Sequence, residues 1–253
     1  MGFEEILRNM TIVSEAVVLM AGTGSRLGSS AAGVLKPLTP IFGRPLVSYV
    51  FNALKEAGIR TAHAVVGFES DTLASQLQAA VPTGLDVRLV ENPEWRKQNG
   101  LSVLAAEGRV KSPFVLTMSD HLFDRELLDV LIDRAQTNAL NLAIDRKIET
   151  IVDIDDAMKV QTERDQVVAI GKDLQKYNAI DTGLFVANEN LFGYLRKAKH
   201  DGDCSLADGV RLMAADKKVH AIDIGDAWWQ DVDTLRTLRA AEDHLRARLQ
   251  PIS

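Results

Sequence analysis

The amino-acid sequence predicts a single α/β domain, with a mostly parallel central sheet, helices on both faces and a small mixed or antiparallel extension. Three observations carry this expectation. From residue 14 to about residue 150, short apolar runs alternate with helix-length amphipathic stretches, the pattern of strand–helix units packed on both faces of a parallel sheet. After about residue 150 the segments become short, strand-like and only partly alternating. The first apolar run ends in a glycine-rich loop, and ligands of open α/β sheets collect at such strand ends.

Residues 16–20 (AVVLM) read as a buried strand. Residues 45–58 read as a helix: Pro45 suits the first turn, Val47, Val50, Phe51 and Leu54 share a face, and Gly58 ends it. Strands at 63–67, 87–90 and 114–118 then alternate with helices at 72–80, 101–110 and 125–135, and 140–144 supplies one more strand. The extension holds strands at 158–161, 166–170 and 180–187. Helices at 190–199 and 205–215 follow, then a strand at 219–224. A closing helix at 233–249 carries Leu235, Leu238, Ala241, Leu245 and Leu249 on one face. Residues 1–13 read as an N-terminal arm and 14–253 as the domain, with no repeat or linker.

A chain of 253 residues, 46% of them hydrophobic, can bury a core without a disulfide or a structural metal. Cys204 is the sole cysteine, which excludes an intramolecular disulfide and suits a reducing cytoplasm. A net charge of −6 with scattered basic residues argues against a nucleic-acid partner. No apolar run approaches the roughly 20 residues of a membrane helix, and the acidic start MGFEEILRNM does not suit a signal peptide. A soluble cytoplasmic protein, away from membranes, is therefore expected, with a homodimer left open.

The glycine-rich loop is LMAGTGSRLGSS, residues 19–30, with Leu35, Lys36, Pro37 and Leu38 shortly after. Leu19, Ala21, Gly22, Thr23 and Gly24 can bring backbone groups close to a nucleoside triphosphate, and Arg26 and Lys36 add positive charge. The dinucleotide fingerprint would need glycine where Leu27 stands, and Gly-Lys-Ser/Thr is absent. An ordinary turn with a solvated Arg26 is the plain alternative, which the following Lys36 and Pro37 disfavour. The strand at 114–118 runs out into Asp120. The segment 228–234 (WWQDVDT) delivers Asp231 and Asp233 on one face just before a helix. Carboxylates at strand ends suit Mg2+, which also takes phosphate oxygens. Helix capping is the alternative for Asp120, although Asp124 is better placed for it, and for Asp233. The five histidines lack metal-ligand spacing, so zinc is not expected.

These motifs resemble the sugar-phosphate nucleotidyltransferases. That superfamily opens with Ala-Gly-x-Gly-x-Arg-Leu and Pro-Lys-Pro-Leu, here with Leu35 in place of the first proline, and closes with Trp-x-Asp-Ile/Val-Asp-Thr before a last helix. The resemblance implies a Rossmann-like nucleotidyltransferase domain. In it Arg26 and Lys36 act on the triphosphate as catalytic residues, Asp120 lies at the nucleotide, and Asp120 and Asp233, with Asp231, hold magnesium. Residues 91–107 (ENPEWRKQNGLSVLAAE), 119–121 (SDH) and 169–187 (AIGKDLQKYNAIDTGLFVA) are similar, more narrowly, to the CTP:inositol-1-phosphate cytidylyltransferases. This implies transfer of CMP from CTP to a small phosphorylated alcohol, inositol 1-phosphate, giving CDP-inositol and pyrophosphate.

Gln98, Asn99 and Ser102 can then hydrogen-bond a pyrimidine edge, with helix capping the equal alternative for Asn99. Lys147 and Lys172 are candidates for the acceptor phosphate, against a solvated surface role for each. Asp181 and Thr182 can meet a polyol rim, and Gly183 can allow close ligand approach. Some relatives also carry a membrane-embedded transferase that consumes CDP-inositol; the residues here hold no such stretch, which weighs against inositol. Phosphocholine, aminoethylphosphonate and sugar 1-phosphates stay as alternatives, as does a non-catalytic nucleotide-binding relative, which the presence of Lys36, Asp120 and Asp233 disfavours.

Overall fold

One sheet divides the core into two apolar layers. The computed structural model describes residues 13–27 and 34–249. Residues 1–12 of the expected arm and 28–30 at the end of the glycine-rich loop lie outside the described residues, while Val13 is buried in the core. The chain runs β1 (Glu15–Leu19), α1 (Leu46–Glu56), β2 (Thr61–Val66), α2 (Ser70–Leu77), β3 (Asp86–Glu91), α3 (Asn99–Ala105), β4 (Phe114–Met118), β5 (His121–Phe123), α4 (Arg125–Asp133), β6 (Leu140–Asp145), β7 (Lys159–Glu163), β8 (Gln166–Gly171), β9 (Ala179–Ala187), α5 (Asn190–Ala198), α6 (Leu206–Ala215), β10 (Val219–Asp223), β11 (Trp229–Asp231) and α7 (Leu235–Leu249).

Nine strands form the sheet in the order β3-β2-β1-β4-β9-β6-β10-β8-β7. β1 pairs in parallel with β2 and β4, which is why all five of its residues are buried. Helices cover both faces, as expected: α1 buries Val47, Val50, Phe51 and Leu54 on one side, while α5 and α6 bury Leu191, Leu195, Val210 and Met213 on the other. The antiparallel part differs from expectation in its place. β9 does not lie at an edge but between β4 and β6, antiparallel to both, with Phe185 opposite Leu116 and Leu142. Its segment AIDTGLFVA is buried almost throughout, on both faces, as a strand inside a sheet is.

Two local features position the site. β5 and β11, distant in sequence, form a small antiparallel ladder that sets Asp231 opposite His121. α7 starts two residues later than expected, and its first turn is capped by threonines: Thr237 Oγ1 accepts from the N–H groups of Asp233 and Thr234, each at 3.0 Å, and Thr234 Oγ1 accepts from Thr237 N at 3.2 Å. The Asp233 carboxylate is thereby left free of capping. Asp124 stands at the start of α4, but its carboxylate pairs with Arg248 of α7 instead of capping. Among the described residues, no helix is long and apolar enough to cross a membrane.

Candidate active site

β1 and β4 end side by side, with Leu19 opposite Met118, so the segments that follow them share one sheet edge. A cavity of about 370 Å³ opens there. Its lining includes Leu19, Ala21, Gly22, Thr23, Gly24, Arg26, Lys36, Asn99, Ser102 and Asp120, together with Asp233, whereas Gln98, also expected at the base, lines the neighbouring cavity instead. The two glycines differ in their reason. Gly22 faces open space, whereas a Cβ on Gly24, at φ +62°, would fall 2.3 Å from Lys36 Cβ. Gly24 therefore makes room for the Lys36 stem, which is only 7% exposed.

At the seam, Lys36 Nζ pairs with both Asp120 and Asp233, and Arg26 pairs with Asp233 and Asp156. Burial opposes the Lys36 charge, but the carboxylates of Asp120 and Asp233 hold its ammonium protonated well above the ordinary lysine value. Burial likewise opposes ionisation of Asp120, and Lys36 and His121 overcome it, so that carboxyl sits well below the usual range.

A second cavity of about 520 Å³ shares Arg26, Asn99, Asp120 and Asp233 with the first and extends over β9 to Lys172, Asp181 and Gly183. The β5–β11 ladder builds one wall, bringing in His121, Trp229 and Asp231. His121 Nδ1 lies 2.8 Å from Asp120 Oδ1 and 3.9 Å from Asp231 Oδ1. Burial lowers the affinity of this imidazole for a proton, yet Asp231 and Asp120 raise its pKa to about 9. Burial pushes Asp231 up to about 6 against the pull of His121, and its Oδ1 is buried with no hydrogen-bond partner. Asp120, His121 and Asp231 offer ligand atoms within 4.8 Å of one another, the one acidic and histidine cluster of metal-site geometry among the described residues. Asp181 is raised to about 6, chiefly by burial, although its Oδ1 accepts from Gly183 N at 2.7 Å.

Three acceptor-side expectations are corrected. Lys147 lies outside the larger cavity: its ammonium donates to Gly225 O at 2.5 Å and pairs with the buried Asp145 at 2.9 Å, so it neutralises that carboxylate. Thr182 is fully buried and spends its hydroxyl on Ala143 O at 2.9 Å, inside the sheet. Gly183 lines the larger cavity, but what its missing Cβ makes room for is protein: at φ +74°, a Cβ there would fall 2.3 Å from the His121 ring. Asn99 keeps its place on both cavities while its Oδ1 accepts from Leu206 N at 2.8 Å, so it caps α6, not its own helix. Lys172 reaches the larger cavity and pairs with Asp156 at 2.5 Å. Sequence reasoning assigned no site role to His121, Asp156 or Arg211, all of which line that cavity. Only His121, beside Asp120, carried a signal that could have marked it.

Residues 16–202 match the family described as MobA-like NTP transferase domain. The bifunctional IPC transferase and DIPP synthase of Rubrobacter xylanophilus is 34% identical to this chain, over 90% of the chain and 51% of the relative. The protein of that name from Thermococcus kodakarensis is 32% identical, over 91% and 50%. The chain thus spans about half the length of the curated relatives it matches. Among solved structures, the inositol-1-phosphate CTP transferase from T. maritima is similar with a TM-score of 0.84 and 25% identity, covering 95% of this chain and 98% of that one. A UDP-glucose pyrophosphorylase from Acinetobacter baumannii shares the fold at a TM-score of 0.73 and 18% identity, with 95% of each chain covered. A family match across most of the domain, laid over a strand-end site of the expected composition, shows that this chain belongs to the MobA-like NTP transferase domain family.

Proposed function

We propose that this chain transfers CMP from CTP to inositol 1-phosphate with the help of magnesium, giving CDP-inositol and pyrophosphate. The observation that carries the reading is the seam between the cavities, where Arg26, Asp120 and Asp233 line both. A nucleotide over the β1 loop and an acceptor over β9 would meet there. The names of the similar proteins, which speak of CTP, inositol 1-phosphate and IPC transfer, support the choice of substrates.

In this reaction an oxygen of the acceptor phosphate attacks the α-phosphorus of CTP. A new P–O bond forms as the bond to the bridging β-phosphate oxygen breaks, and pyrophosphate leaves with that electron pair. The acceptor is already an anion, so the barrier is charge crowding and no strong base is needed. Arg26 and Lys36 meet that crowding with positive charge, exchanging their contacts to Asp120, Asp156 and Asp233 for phosphate oxygens. Lys172 and Arg211 supply the positive charge on the acceptor side that Lys147 does not. The carboxylates fit magnesium: Asp120, Asp231 and Asp233 offer the hard oxygen ligands it prefers, and the buried Asp231 Oδ1 has no hydrogen-bond partner. Asp120, Asp231 and Asp233 would hold the ion, which when bound neutralises the phosphates and aligns them.

For the acceptor, Gln98, Asn99, Gln230 and Asp181 give the larger cavity the mixed donors and acceptors that a polyol ring requires. Trp229 and Asp181, which line the same cavity, favour a second reading, phosphocholine, because an aromatic face with a carboxylate suits a quaternary ammonium. Against it, the His121 ring already stacks on Trp229, with centroids 6.3 Å apart, and occupies that aromatic face. The test is kcat/KM for pyrophosphate release from CTP with inositol 1-phosphate, phosphocholine, aminoethylphosphonate and glucose 1-phosphate. Inositol 1-phosphate is expected to be the best of the four, and another winner removes this acceptor.

A further inference from the structure

We propose that Asn92, a residue outside both cavities, sets the choice of pyrimidine by fixing which way the Ser102 hydroxyl can hydrogen-bond. The inference rests on the CTP reading above and adds the residue that enforces it. Asn92 follows β3 and is 3% exposed; Ser102 lies in α3 and is 5% exposed. The Asn92 amide has one orientation open to it. Its Oδ1 accepts from Glu94 N at 2.9 Å, and a backbone N–H can only donate. The Nδ2 end is therefore the one that faces Ser102, and it donates to Ser102 Oγ at 3.0 Å.

A hydroxyl that accepts from an amide keeps its own hydrogen to give. A helical serine commonly gives it to the carbonyl four residues back, here Gln98. Among the described residues Ser102 Oγ has no partner but Asn92. Its open side is the nucleotide cavity, across from Leu19 and Ala21. Ser102 thus meets the base as a hydrogen-bond donor. Ring nitrogen N3 is an acceptor in cytosine and carries a hydrogen in uracil. A donor aimed at N3 pairs with cytosine, whereas uracil sets two hydrogens against each other in a desolvated place. Ser102 is the contacting group, and Asn92 is a positioning residue acting through it.

The substitution Asn92→Asp tests this, because a carboxylate accepts only. It would keep the bond from Glu94 N and draw in the Ser102 hydrogen, leaving lone pairs toward the base. Affinities for CTP and UTP are measured by calorimetry with magnesium and no acceptor, so the result does not depend on the acceptor assignment. The wild type is expected to prefer CTP. In Asn92→Asp the CTP:UTP affinity ratio should fall by about tenfold or more, and in Ser102→Ala it should fall to an intermediate value. Retained CTP preference in both variants overturns the role of Asn92 while leaving the CTP reading intact. Equal affinities, or preference for UTP, in the wild type overturn that reading and this inference together. Ser102→Ala keeps the Asn92–Glu94 turn and decides the matter if Asn92→Asp does not fold.

Discussion

Lys36 is the most constrained charge at the site. It is nearly buried, threads past Gly24 and sits between two carboxylates. A cation held there without substrate is preorganised for charge that builds up during transfer. Lys36→Ala and Arg26→Ala should therefore each lower kcat by about 10²-fold or more, with a smaller change in KM for the nucleotide. Steady-state kinetics at saturating acceptor checks this, and a rise in KM alone would make both residues simple binding groups. Asp181 invites a different measurement. Its folded-state pKa of about 6 exceeds the usual 3.8, so the fold favours the protonated acid. The resulting penalty is absent below the ordinary value and complete above about pH 6. Asp181→Asn should accordingly raise Tm near pH 7.5, by the equivalent of up to about 3 kcal/mol, and leave it nearly unchanged near pH 3.5. An equal Tm at the higher pH would show that Asp181 ionises without cost.

Among the elements, α7 matters more for where it begins than for what it buries. Its threonine cap holds the Asp233 backbone while the carboxylate turns to Lys36 and Arg26. Thr237→Val keeps the shape of this 2%-exposed side chain and strips the acceptor from two N–H groups. It should cost about 1–2 kcal/mol in chemical denaturation and lower kcat, since Asp233 would lose its fixed approach. Unchanged stability would mean that water caps the helix equally well. The same element shows what one-dimensional patterning reveals. Apolar periodicity marked the long helix, because its period is local. The start was misplaced by two residues, because Asp233 and Thr234 are both good capping types and only tertiary partners choose between them. Lys147 and Thr182 were misassigned for a related reason. Residue type and a nearby motif suggested a ligand, while Asp145 and the Ala143 carbonyl, which claim those side chains, are contacts no spacing rule shows.

For the whole molecule, the cavity proposed for the nucleotide was legible in the sequence almost throughout, whereas the cavity proposed for the acceptor was legible only in Lys172, Asp181 and Gly183. The first is built by one contiguous loop and the ends of adjacent parallel strands, so its residues appear as motifs. The second is assembled from β5, β8, β9, α6 and β11, whose meeting depends on strand order, and strand order leaves no period in a sequence. The layered core, by contrast, needs nothing from the ligands: its two apolar clusters are complete without a metal. Treatment with EDTA should therefore abolish turnover while moving Tm by no more than a few degrees, and added magnesium should restore activity. Unfolding in EDTA would reveal a structural ion that the core does not call for.

The place of β9 has a consequence for the order in which the protein can form on the ribosome. β4 ends at Met118, and the strand that covers its open side, β9, ends 69 residues later at Ala187. At ordinary synthesis rates of about 5–20 residues per second, the nascent sheet waits roughly 3–14 seconds with an apolar, hydrogen-bond-hungry flank uncovered. During that interval β6 has emerged but cannot dock, because its place in the sheet is on the far side of a strand not yet made. An uncovered strand edge of this kind is a template for pairing with another chain. Substitutions that weaken β9 would be felt first as lost yield during synthesis, before any loss of activity in the folded protein.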